Sequence, residues 1–174
     1  AQGMPIRFGC RDVRPMGRSA AGVKGIALML GDAVVACVTT CASDDPEIMT
    51  VSHLGFGKRS KLDLYRTQSR GGRGIINFKV TPKTGQVIGA LPVCNDDGLV
   101  LLTSDNKIIR IGLNEVRTVG RATQGVRLVR LDDGGSVVGF DTINERDETP
   151  SSANAPTCEP CGANASSAQP ADNQ

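Results

Sequence analysis

Three features of the 174-residue sequence predict an all-β fold built from propeller-like repeats. Segments around residues 7–38, 59–93 and 110–143 superimpose at offsets of 52 and 51 residues, and self-similarity at such a period marks stacked supersecondary units. The apolar stretches are short and broken by Gly, Asp and Asn turn chemistry, as strands and hairpins are. Twenty-one glycines and only five aromatics argue against one conventional aromatic-rich core.

The repeats are defined by registered columns. Arg7, Arg59 and Arg110 open the three copies; seven residues on stand Arg14, Arg66 and Arg117; four further stand Arg18, Arg70 and Arg121. After another four come Gly22, Gly74 and Gly125, each followed by Val or Ile, so the shared pattern is R-x6-R-x3-R-x3-G-[VI]. Nine of the 14 arginines fall on these columns, which chance placement does not produce. Residues 47–52 and 99–104 are apolar runs followed by turns (Leu54-Gly55, Asp105-Asn106) and a returning strand, which reads as a hairpin. Behind each box lies a further apolar run (26–30, 75–80, 126–131) and then a Val-rich strand at Val34-Val35, Val87-Ile88 or Val137-Val138. That makes four strands per repeat, the format of a propeller blade. The expected repeats are residues 1–46, 47–97 and 98–143, the first lacking a counterpart to the hairpin at 47–58. A closed ring takes roughly four blades or more, so the chain, which opens at Ala1 with no initiator Met, reads as the C-terminal part of a larger one.

Charge divides the chain as well. Residues 1–140 hold 19 basic and 12 acidic side chains, net +7, whereas the last 34 residues hold six acidic side chains against Arg146, net −5. Residues 144–174 are expected to be a disordered acidic tail. No apolar run approaches the roughly 18 residues of a membrane-spanning helix. No export signal or presequence is visible at the start, and the six cysteines, at 10, 37, 41, 94, 158 and 161, are expected to be reduced thiols in a cytoplasm.

Repeated guanidinium groups on a basic body suit a repeating polyanion, since Arg forks bind phosphate oxygens and glycine admits close backbone approach. The candidate DNA-binding residues are Arg7, Arg14, Arg18, Lys24, Lys58, Arg59, Lys61, Arg66, Arg70, Arg73, Arg110, Arg117, Arg121 and Arg127. Gly22, Gly71, Gly72, Gly74 and Gly125 are candidates for backbone approach or turn geometry. The competing reading gives the glycines to turns and the arginine stems to packing over neighbouring strands. Stacking platforms for single-stranded bases are scarce: Phe8, Phe56, Tyr65, Phe78 and Phe140 are the whole aromatic set. The composition therefore favours duplex backbone contact with little sequence readout.

Residues 13–26 (VRPMGRSAAGVKGI), 55–76 (GFGKRSKLDLYRTQSRGGRGII) and 116–131 (VRTVGRATQGVRLVRL) resemble the last blades of the C-terminal domain of the DNA gyrase A protein. The resemblance implies a β-pinwheel whose blades exchange strands and whose basic rim wraps duplex DNA for negative supercoiling. It implies as partners the rest of the gyrase A protein and the gyrase B protein in a heterotetramer. Residues 68–74 read QSRGGRG, close to the family's wrapping box Q-[RK]-R-G-G-[RK]-G, but Ser69 stands at a normally basic position. Being in phase with GRSAAGV and GRATQGV, this segment is expected to be a late-blade copy, with the true box upstream. The resemblance assigns no catalytic residue, cofactor or metal to this segment: ATP and Mg belong elsewhere in the holoenzyme, and no G-x-x-x-x-G-K-[ST] loop occurs. Tyr65, the one tyrosine, does not match a strand-cleaving context and reads as structural. The related topoisomerase IV domain and a propeller-type protein-interaction module are the alternatives. The lone histidine, His53, reads as a surface turn residue, and Cys158 with Cys161 has the spacing of half a zinc site whose other half would be Cys37 and Cys41.

Overall fold

The computed structural model describes residues 2–40, 46–94 and 96–144. The expectations for the tail from residue 145 on, for Cys41 and for Cys158 and Cys161 lie outside these residues.

Two hairpins organise the chain. In the first, β1 (Glu47–Ser52) pairs antiparallel with β2 (Phe56–Lys61); β3 (Val87–Val93) lies on the other side of β1. In the second, β4 (Asp97–Thr103) pairs with β5 (Ile108–Gly112), and β7 (Val137–Asn144) lies on the other side of β4. Each hairpin turns through a left-handed residue, Gly55 at φ 76° and Asn106 at φ 59°, glycine and asparagine being the residues that enter that region most readily. Single 3-10 turns follow at Cys10–Asp12, Leu62–Leu64 and Leu113–Glu115, again one per repeat.

The run expected as a strand at 126–131 forms only the two-residue β6 (Val126–Arg127), and β6 does not join its own repeat. It pairs with β2, Gly57 opposite Val126, so the first sheet runs β3-β1-β2-β6 and the second β5-β4-β7. A blade's fourth strand is thus supplied by the following repeat. The run at 75–80 makes backbone bonds to residues near the chain start without forming a regular strand, and 26–30 and Val34-Val35 form none. Within residues 2–40 there is no hairpin for Val34-Val35 to pair with, and Leu30, Val34 and Val35 are exposed in consequence.

The core lies between the two sheets. Met49 and Val51 of β1, Val93 of β3, Leu99 and Leu101 of β4 and Val137 of β7 are buried together with Leu113, Val116 and Val129. Alternation along β4 sends Leu99 and Leu101 inward and leaves Leu102 40% exposed, as a half-buried strand requires. A smaller cluster of Phe56, Phe78 and Val87 packs beside it.

Candidate nucleic-acid interface

The arginine columns, alike in sequence, separate in space. In the first column, the Arg7 guanidinium donates to the carbonyls of Leu62 (2.9 Å) and Tyr65 (3.1 Å) in the second repeat. Arg59 Nε donates to the carbonyl of Val116 (2.8 Å) in the third, and its Nη1 lies 3.3 Å from Glu47 Oε2. Tyr65 and Val116 are equivalent positions, so the same clamp is made twice. In the third column the direction reverses: Arg70 donates to the carbonyls of Asp12 (2.9 Å) and Lys24 (3.2 Å), and Arg121 to that of Ile76 (3.2 Å), Lys24 and Ile76 being equivalent. Both columns tie one repeat to its neighbour.

The backbone repeats the lesson. Gln68 N–H donates to Arg7 C=O and Val119 N–H to Arg59 C=O, both at 2.9 Å. Gly71 N–H donates to Gly25 C=O (2.6 Å) and Ala122 N–H to Asn77 C=O (2.8 Å); Asn77 N–H donates to Gly3 C=O (3.0 Å) and Leu128 N–H to Gly55 C=O (2.9 Å). The glycine column lets these backbones meet. A Cβ on Gly74 would stand 2.5 Å from Met4 O, and one on Gly125, which is also at φ 71°, would strike Gly57 O. Gly74 and Gly125 are points of close backbone approach to a neighbouring repeat. Gly71 and Gly72 join the same contact, since Gly72 C=O accepts from Ala27 N–H at 2.9 Å.

Lys58 is fully buried, its ammonium donating to the carbonyls of Asn77 (2.7 Å) and Gly120 (2.9 Å). Burial first, and then the Arg121 charge, bring its pKa down to about 8. Asn77 beside it is a hub that the sequence did not reveal: its Nδ2 donates to Thr50 Oγ1, and its Oδ1 accepts from the Tyr65 hydroxyl at 2.7 Å. Tyr65 is buried, and desolvation raises its pKa. Lys58 and Arg59 therefore face the interior, not the surface on which the sequence reading placed every basic candidate.

The second column behaves differently. Arg14, Arg66 and Arg117 are exposed, as are Arg18, Lys24, Lys61, Arg73, Arg110 and Arg127. Ion pairs among the described residues join Arg59 to Glu47 and Lys107 to Asp105 and Asp132. Lys107 thus has its charge matched on the surface, and its ammonium holds the Asp105 carboxyl down to about 2. Further exposed cations, among them Lys83 and Arg130, lie off the arginine columns. Lys83 and Arg127 flank the Phe56 ring, at 5.9 and 5.4 Å from its centroid, and with Arg130 they border an open groove of about 450 Å³. Arg130 shares its repeat position with Lys79, a basic pair that column-by-column comparison could have found; Lys83 aligns with Gly31 and Gly134 and left no such signal.

His53 sits in the first hairpin turn, where its Nδ1 accepts from Gln86 N–H at 2.8 Å and its carbonyl accepts from Val137 N–H. Cys10, Cys37 and Cys94 are free and exposed. Among the described residues no group of three or more His, Cys, Asp or Glu is placed to hold a metal ion, and no helix is long and apolar enough to cross a membrane.

Antiparallel repeats that hand a strand to their neighbour and present equivalent exposed arginines define a propeller-like repeat module with a basic surface. A family model described as the DNA gyrase C-terminal domain, beta-propeller, matches residues 1–41, 46–94 and 99–144, and the chain belongs to that family. It is 68% identical over 145 residues to the DNA gyrase A protein of Lawsonia intracellularis, covering 83% of this chain and 18% of that protein. With the DNA gyrase A protein of Thermotoga maritima it shares 44% identity over 130 residues, 75% of this chain and 16% of the relative. The chain thus spans less than a fifth of the length of these relatives. Among solved structures, a DNA gyrase A C-terminal domain superimposes with a TM-score of 0.71 at 28% identity, covering 81% of this chain and 47% of that one. The C-terminal domain of a DNA topoisomerase IV gives 0.75 at 24% identity over 84% of this chain and 46% of that one, a likeness of fold.

Proposed function

We propose that residues 2–144 bind and wrap duplex DNA through phosphate contacts, as the C-terminal part of a gyrase A protein working with the gyrase B protein in a cytoplasmic heterotetramer that supercoils DNA at the expense of ATP. The observation that carries this reading is the second arginine column. Arg14, Arg66 and Arg117 recur at one position of successive repeats, are exposed, and lie outside the ion pairs of the described residues. Arg18, Lys24, Lys61, Arg73, Arg110 and Arg127 extend the basic surface, while Arg7, Arg59, Arg70, Arg121 and Lys58 hold the repeats that carry it. Repeated guanidinium forks displaying no aromatic platform engage a uniform phosphate backbone and position the duplex without reading it. Family membership and the gyrase A relatives support the same assignment. Titration of two unrelated duplexes at two ionic strengths tests it. Affinity is expected to fall steeply with salt and to be alike for both sequences; salt-insensitive or strongly site-specific binding would contradict it.

A further inference from the structure

The basic side chains that join the repeats are bonded: Arg7, Arg59, Arg70, Arg121 and Lys58 each donate to a carbonyl of a neighbouring repeat. Lys83, Arg127 and Arg130 differ. All three are exposed and border the same open groove between the second and third repeats, and no hydrogen bond or ion pair among the described residues holds their charged groups. Their places are nonetheless fixed. The turn carrying Lys83 is knotted by Thr84, which is fully buried: its hydroxyl donates to the Lys79 carbonyl and accepts from Thr81 N–H, both at 3.0 Å, and Gly85 N–H donates to Thr81 C=O at 2.8 Å. The bond from Gln86 N–H to His53 pins that turn to the first hairpin. Arg127 stands on β6 opposite Phe56, and the charged groups of Lys83 and Arg127 lie 5.9 and 5.4 Å from the centroid of that ring, hence no more than about 11 Å apart. The ring attracts both cations, but like charges at this spacing repel each other, and an anion between them would relieve the repulsion. Of the two carboxylates on the groove wall, Asp132 already accepts from Lys107 at 2.6 Å, which leaves the three cations facing Asp133.

We propose that this groove grips the sugar–phosphate backbone of duplex DNA, as a site additional to the arginine columns and present at one junction only. The inference rests on the duplex-binding function proposed above. A span of about 11 Å is the rise of roughly three nucleotides along one strand. The groove and the second arginine column also lie on one strand. Phe56, at the groove, and Arg59, bridged to Thr118 beside Arg117, are three residues apart on β2, about 10 Å along it. That is less than the width of a major groove, about 12 Å, so one duplex meets both. Phe56 is 8% exposed; its ring orients the cations and offers no platform for an unpaired base. The junction between the first and second repeats has no such site. Met4, Gly31 and Ile76 stand there in place of Phe56, Lys83 and Arg127, and only Lys79 matches Arg130. The duplex is therefore held more tightly between the second and third repeats than between the first and second.

Duplex titration across a salt series tests this, using the 174-residue chain and a variant with Lys83, Arg127 and Arg130 all replaced by glutamine, with circular dichroism as the check on folding. The slope of log affinity against log salt should shrink by about 2 to 3 in the variant. A second measurement needs no variant: acetylation of Lys83 by an amine-reactive reagent should slow severalfold when duplex is bound. A parent chain whose affinity ignores salt would overturn both the duplex-binding function and the groove. A steep parent slope that the folded variant retains, or a Lys83 acetylated equally fast with and without duplex, would overturn the groove alone. Oligoglutamate matched in charge should leave Lys83 reactive; protection equal to that by duplex would assign the groove to an acidic chain and would likewise overturn the proposal.

Discussion

At Lys58, burial works against charge. Its pKa of about 8, against an ordinary 10.5, means that between those pH values the unfolded chain binds more protons than the folded one, so this residue makes stability rise with pH across that window. Tyr65 acts with the opposite sign at higher pH: its raised pKa makes stability fall as pH passes the ordinary tyrosine range near 10. Lys58 aligns with Ile6 and Ile109 in the other repeats, so Lys58→Met should fold and should abolish the gain in melting stability between pH 8 and 10, an effect of up to about 3 kcal/mol. A second contrast separates the arginine columns. Arg59→Ala leaves Glu47 and the Val116 carbonyl without this donor and should cost about 2–4 kcal/mol in urea denaturation. Arg66→Ala, at an exposed site, should stay within about 0.5 kcal/mol while weakening DNA binding. Sequence spacing made all of these residues look equivalent. Column membership was legible because it is periodic, but whether a guanidinium faces solvent or a neighbouring repeat's carbonyl depends on how one repeat is rotated onto the next.

At the scale of elements, the hairpins β1–β2 and β4–β5 and the Val-rich strands β3 and β7 were legible because apolar runs with Gly and Asn turns encode them locally. The partner of β6 was not. Val126 and Arg127 carry no local mark saying that they belong to the preceding repeat; that is settled by Gly125, whose left-handed φ and missing Cβ let the strand meet Gly57. Gly125→Ala should therefore undock β6, lowering stability by about 2 kcal/mol or more. Hydrogen exchange should show the loss concentrated at Val126, Leu128 and Val129 before it reaches β4. The failed strand at Val34-Val35 gives the complementary lesson: a β-rich sequence becomes a strand only where an edge is waiting for it.

For the whole molecule, the repeats are held together by inward arginines, glycines and Lys58, while Arg14, Arg66 and Arg117 stay exposed. The acidic end bears on this. Residues 145–174 hold five acidic side chains and one basic, so removing them should tighten DNA binding at low salt, where long-range charge acts most strongly; equal affinities of the two proteins would rule out competition by the tail. The salt dependence of duplex affinity measures most directly whether the second column meets phosphate. Substituting Arg14, Arg66 and Arg117 together by alanine should leave the fold intact and reduce the slope of log affinity against log salt by about 3, equally for unrelated sequences. An unchanged slope in a folded triple variant would contradict phosphate contact by the second column.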